Sequence, residues 1–302
     1  MGFFNRSGGA RVTVIPNVVR PRQTVTATVE TDKPLDKVRS ATLEWGYTNF
    51  YRYHWAGRAD SAAAAGNDSL LMMGEVGTNH GGERDTDDWV CVDRVPVPIA
   101  ASEFTGTSAT FKVPSWAPGS SPVLARWGCR LVVERGGRDV DTRGDFTVVI
   151  GTADVEAFEE PMERVWGDGA TLIDIVIPSP VYLAGETIAG QVVLRPQIEL
   201  PNGDVAVYWQ RHREHHPLEK YPAQSSELDG RIIQLDKKIP LQAGNQFALP
   251  FELPLPADAA PSGEAVHSSV SWFVAARMMY SGFTGHQLER VRRPILVVNA
   301  PY

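Results

Sequence analysis

The sequence predicts an all-β protein built from two similar β-sandwich domains in tandem. Residues 1–150 form the first domain, 151–170 a linker and 171–302 the second. Two observations carry that expectation. The chain repeats itself at a spacing of about 163 residues: Ile15-Pro16-Asn17-Val18-Val19 returns as Ile177-Pro178-Ser179-Pro180-Val181, and Leu43-Glu44-Trp45 as Val207-Tyr208-Trp209. A repeat of domain length marks two copies of one fold. Within each copy, apolar residues alternate with polar ones, as in Arg11-Val12-Thr13-Val14-Ile15 and Thr24-Val25-Thr26-Ala27-Thr28-Val29. Period two combined with β-branched side chains is the signature of a half-buried strand.

Each copy closes alike. Phe111-Lys112-Val113-Pro114, the Pro118-Gly119-Ser120 turn, Trp127 and Phe146–Ile150 end the first copy. Phe251-Glu252-Leu253-Pro254, Pro261-Ser262, Trp272 and Ile295–Val298 end the second. The tryptophans have the bulk to fill the space between two sheets. Turn signals separate the strands, and Gly136-Gly137 reads as a hairpin tip. At 302 residues, two domains of this size each bury a core.

Residues 56–88 break the pattern and read as an insertion in the first domain. They are rich in Ala, Gly and Asp, which build no β core. Leu70, Leu71, Met72 and Met73 are apolar residues inside that polar stretch, and adaptable Met side chains suit a partner-binding loop. Tyr47, Tyr51, Tyr53 and Trp55 share odd positions, so a straight strand faces them one way. That row reads either as core or as a platform for a partner or ligand.

By this point the second copy resembles the arrestin superfamily. Pro180-Val181-Tyr182-Leu183-Ala184-Gly185-Glu186-Thr187-Ile188 looks like the opening strand, Gly-Glu turn and second strand of an arrestin-type domain. Phe251–Pro256 and Val270–Val274 are similar to its later strands. The first copy departs at Arg20-Pro21-Arg22-Gln23, where the Gly-Glu turn should stand. The resemblance implies two immunoglobulin-type sandwiches, and the Met1-Gly2-Phe3-Phe4 start is distantly similar to bacterial sporulation-control members. It implies a non-enzymatic adaptor or scaffold, regulatory in sporulation or cell morphology, and it transfers no site residue. Gly185 is expected at positive φ, and Pro254 and Pro256 are expected to frame a strand that lies at an edge or an end.

Charge and composition narrow the function classes. The net charge is −7, with 17 basic and 17 acidic residues in 1–150 against 12 and 19 in 151–302. A mildly acidic chain without a basic stripe is a poor nucleic-acid binder. The sequence contains no apolar run long enough for a membrane span and no signal-like apolar stretch at its start, which makes the cytoplasm the expected compartment. Cys91 and Cys129 sit in strand-like runs and read as small hydrophobes, with a disulfide between them as the alternative.

Chemistry is thin. Arg211-His212-Arg213-Glu214-His215-His216 is the densest cluster. His212, Glu214 and His216 on one strand face spread over about 13 Å, too far for one ion on a straight strand. A solvated strand end is the reading. Neither a nucleophile elbow nor a phosphate loop occurs. No catalytic residue, cofactor or metal is therefore assigned. The expected partner is a protein, bound through sheet edges and loops, with self-association through edge strands as a further option. The basic run Arg290-Val291-Arg292-Arg293 reads as a hairpin arm or as an intramolecular partner of the acidic linker, Glu156 to Glu163, with Glu159, Glu160, Arg292 and Arg293 as the candidate interdomain polar contacts. The alternative function is a carbohydrate- or small-molecule-binding sandwich using the aromatic row.

Overall fold

The computed structural model describes residues 8–55, 82–156, 161–215, 224–282 and 285–300. The chain divides into two compact units. One comprises Met1–Val148 with Glu214–Ser225 and Glu264–Ser269. The other comprises Val149–Arg213, Ser226–Gly263 and Val270–Tyr302.

The first unit holds β1 (Ala10–Ile15), β2 (Val18–Val19), β3 (Thr24–Leu35), β4 (Val38–Trp55), β5 (Gly82–Pro96), β6 (Phe104–Lys112), β7 (Ala125–Arg135) and β8 (Val140–Val148). These make a three-stranded sheet, β1-β3-β6, and a five-stranded sheet, β2-β8-β7-β4-β5. The alternation read from the sequence sets the core. Val12 and Val14, Val25 and Ala27, Leu43 and Trp45, and Trp127 and Leu131 all face inward. Trp45 of the larger sheet stacks on Phe111 of the smaller at 5.2 Å between ring centroids, so the sheets pack face to face. Gly136 and Gly137 lie in the β7–β8 connection, as the hairpin reading requires.

Strand β5 corrects the expected insertion. Gly82 to Asp88 are paired with His54–Trp55 and with Asn49 to Tyr53 of β4, so the loop-like acidic stretch 82–88 belongs to a strand. Its side chains lie at an edge, where burial imposes no apolar alternation. Residues 56–81, with Leu70, Leu71, Met72 and Met73, lie outside the described residues.

The second unit opens with a 3-10 turn at Thr152–Asp154 and continues with β9 (Glu163–Trp166), β10 (Thr171–Val176), β11 (Val181–Leu183), β12 (Thr187–Pro196) and β13 (Gly203–His215). Then come β14 (Gln224–Asp229), β15 (Ile233–Ile239), β16 (Phe247–Pro254), β17 (Gly263–Glu264), β18 (Ser268–Gly282) and β19 (Gly285–Val298). The parts of β13, β14, β17 and β18 within 214–225 and 264–269 count with the first unit. Again there is a three-stranded sheet, β10-β12-β16, beside a larger one, β11-β19-β18-β13-β14, to which β9, β15 and β17 add.

The two strand orders match element by element. In each unit a short strand pairs in parallel with the last: Val18 with Thr147, and Val181 with Leu296. In each, the core tryptophan donates to a loop carbonyl, Trp127 Nε1 to Pro118 O at 2.8 Å and Trp272 Nε1 to Ala260 O at 2.9 Å. In each, a loop serine is pinned to the last strand. Val148 N donates to Ser120 Oγ and Val297 N to Ser262 Oγ, both at 2.9 Å. Gly185 has φ +83, the left-handed turn expected of it, and β16 with Pro254 is an edge strand.

The expected linker is not bare either. β9 pairs antiparallel with β19, Glu163 opposite Arg292. All four of its residues are exposed, so it has no apolar period to read.

Within the first unit, Asn49 is fully buried. Its Nδ2 donates to Leu124 O and to Ser268 Oγ, each at 2.9 Å, and its Oδ1 accepts from His267 N at 2.7 Å. One amide thereby satisfies groups from β4, the loop before β7 and segment 264–269.

Candidate functional site

The densest polar cluster lies on the outer face of the larger sheet in the second unit. Alternation along β13 places it there. Trp209 packs on Trp272 at 5.3 Å between the sheets, so Tyr208, Gln210 and His212 take the other face. Gln210 is 0% and His212 7% exposed. Buried polar groups need partners, and neighbouring strands supply them. Gln210 Nε2 donates to Asp229 Oδ1 at 2.7 Å and Glu227 Oε2 at 3.1 Å, both from β14. His212 Nε2 lies 2.9 Å from Glu227 Oε1, 3.0 Å from Gln210 Oε1 and 3.0 Å from an Arg292 Nη1.

Arginine only donates and carboxylate only accepts, so His212 Nε2 serves one or the other according to whether it carries a proton. Arg292 is held from three sides. Its Nε donates to Glu163 Oε2 at 2.6 Å, and its guanidinium lies 4.2 Å over the Phe273 ring. The His212 ring meets the same Phe273 edge-on at 4.9 Å. Arg290 and Arg277 flank the buried Tyr208 ring at 5.8 and 6.0 Å. Burial pushes the Tyr208 hydroxyl pKa up, and Arg290 acts against that.

The first unit carries a charged cluster on the corresponding face. Glu44 accepts from Trp89 Nε1 at 3.1 Å and from Arg94 Nη2 at 2.7 Å. Arg130 forms a two-pronged pair with Asp141 at 2.9 and 2.6 Å, and those hydrogen bonds raise its pKa. Arg143 donates to Thr48 Oγ1 at 2.6 Å and lies 5.7 Å over Trp89. Both faces are thus knitted by arginines that neutralise carboxylates and stack on aromatic rings. Among the described residues no group of three or more His, Cys, Asp or Glu is arranged to hold a metal ion.

The expected site residues fall as follows. Tyr47 is buried against Trp127, and Tyr51 is buried with its hydroxyl on Asp88 Oδ2. Those two are core, so they supply no exposed stacking platform. Tyr53 and Trp55 continue β4 in the backbone, and their side chains lie outside the described residues. So do Glu159, Glu160 and His216. Arg292 pairs with Glu163, and Arg293 reaches Asp174 at 3.5 Å. Glu163 belongs to the acidic linker expected to meet this basic run, and both pairs fall within the second unit. His212, Arg213 and His215 are buried, so the cluster is not the solvated strand end that its composition suggested. Cys91 is an exposed free thiol and Cys129 a buried one.

Gln210, Glu227 and Asp229 were missed. The one signal available was the unbroken polar run Gln210 to His215 that follows the apolar start of β13, too long a run for one exposed face. No helix among the described residues is long and apolar enough to cross a membrane. A scan against protein-family models finds no match, and a search of curated proteins finds none.

Proposed function

We propose that the protein is a non-enzymatic adaptor of arrestin-like, immunoglobulin-type architecture that binds an extended segment of a partner protein along an open sheet edge. The carrying observation is β5. This 15-residue strand ends the five-stranded sheet and pairs, among the described residues, with β4 alone. Its outer edge offers unpaired backbone donors and acceptors, the groups that a partner strand takes up in β-augmentation. Exposed Asp85, Asp87 and Asp93 line it and oppose indiscriminate pairing. The polar clusters support the same reading. Their carboxylates and guanidinium groups are spent on one another, which suits a scaffold face better than a reaction.

Cys91 gives the test its handle, because it is an exposed thiol on β5 itself. The full chain carrying benzophenone-maleimide on Cys91 is irradiated in host extract beside a Cys91→Ser, Lys237→Cys control. The reading expects a discrete cross-linked protein from Cys91, absent from the control and competed by unlabelled chain. A cross-link of twice the chain mass with purified protein alone would instead assign the edge to self-pairing. Equal capture at both positions, or none, would overturn the adaptor reading.

A further inference from the structure

A cleft of about 500 Å³ opens between the two sheets of the second unit. Trp209, Arg231, Ile232, Ile233 and Gln234 line it from one side and Leu253 with Pro254 from the other. It exists because the outer neighbour of β13 changes there. β15 pairs with β13 as far as Val207, β14 flanks the later part, and Gly230–Ile232 spans the gap. Gly230 N donates to Trp209 O at 2.8 Å, and a Cβ on Gly230 would collide with the Trp209 indole. Glycine therefore keeps the ring accessible at the opening.

The lining is mainly apolar. Ile232 is 43% exposed, and Leu228 close by in the chain is 47% exposed. Gln234 Nε2 donates to Val205 O at 2.8 Å and to Asp236 O at 2.7 Å. That leaves two donors. Arg231 is exposed and forms no ion pair among the described residues, and Trp209 Nε1 donates no hydrogen bond among them. A mainly apolar wall that includes the Arg231 guanidinium and the Trp209 N–H complements an apolar chain ending in an anionic acceptor. A sugar, with donors and acceptors all round, would leave most of its hydroxyl groups unpaired on this lining.

We propose that this cleft binds a free long-chain carboxylate, its alkyl chain between the sheets and its carboxylate on Arg231. The volume lies in the range of small-molecule sites, ~300–1,000 Å³. The site does not depend on the adaptor reading, and either can fail alone.

The test titrates the full chain with 11-(dansylamino)undecanoic acid, followed by dansyl emission and by displacement with dodecanoate. Saturable, blue-shifted binding displaced by dodecanoate is expected. Decanoate should bind roughly tenfold more weakly than dodecanoate, because two methylenes fewer leave water. Arg231→Glu, an exposed change, should weaken dodecanoate about fivefold while leaving dodecanol unaffected. Gly230→Leu should abolish binding, with Ile232→Asp as the second blocking variant should Gly230→Leu fail to fold. Binding that does not saturate, or that survives both Arg231→Glu and the blocking variant unchanged, would overturn the site. Equal affinity for dodecanoate and dodecanol would overturn the assignment of the anionic head.

Discussion

Glu289 is 2% exposed, yet it carries a carboxyl group. The turn after β9 closes over it, Gly169 N donating to its Oε1 at 3.0 Å. Burial, then a hydrogen bond with Asp168, raises its pKa above the ordinary 4.5. Asp168 is shifted the other way, chiefly by the Ala170 backbone N–H and then by Glu289. Of the two carboxyls, Glu289 is therefore the one that keeps its proton to higher pH. A raised acid contributes stability that is complete below its ordinary value and is lost as pH climbs through the raised one. The lowered Asp168 contributes above its ordinary value and loses that contribution as pH falls through the lowered one. Glu289→Gln keeps an acceptor for Gly169 and a donor for Asp168 without the charge. Its melting temperature should exceed that of the parent at pH 7, and the difference should vanish towards pH 4 in thermal melts. A second residue-scale expectation concerns the thiols. Burial pushes the Cys129 pKa up to about 12, whereas Cys91 is exposed. Thiol titration of the native chain should report one reactive cysteine, and two after denaturation. The sequence placed both cysteines in strands but could not separate them, because neighbouring strands decide which one is covered.

At the scale of elements, strands with one buried face were legible and strands without one were not. β1 and β3 alternate because one face is core. β9 is exposed throughout and most of β5 is exposed or half-buried, so backbone pairing holds them and their side chains carry no period. β13 misled for the opposite reason. Both its faces are covered, and Gln210 and His212 find their partners on the separate strands β14 and β19. The β4–β5 pairing depends on one glycine. At Gly46 the register slips, and a Cβ would collide with Val90 O. Gly46→Ala should cost about 3 kcal/mol in urea unfolding, since backbone rather than a flexible side chain must move. The matched Gly128→Ala is a weaker perturbation, its nearest obstacle being Gly144 O at 2.9 Å.

At the scale of the molecule, the duplication was legible because each copy repeats its anchors: a tryptophan bound to a loop carbonyl, a serine pinned to the last strand, a short parallel strand. What was not legible is that the copies are unequal partners in the chain. Residues 214–225 and 264–269 belong with the first unit, and Asn49 secures the later segment. No local pattern announces a contact across more than 200 residues. Asn49→Ala would leave His267 N without its acceptor, and denaturant unfolding should show a loss of about 1–3 kcal/mol.

This arrangement bears on how the chain is made. A ribosome delivers residue 148 long before residue 269, and at ~5–20 residues per second the interval is on the order of ten seconds. Throughout that interval the nascent first unit holds an Asn49 amide whose His267 and Ser268 partners are not yet synthesised. Its folding can finish only after most of the other copy has been translated.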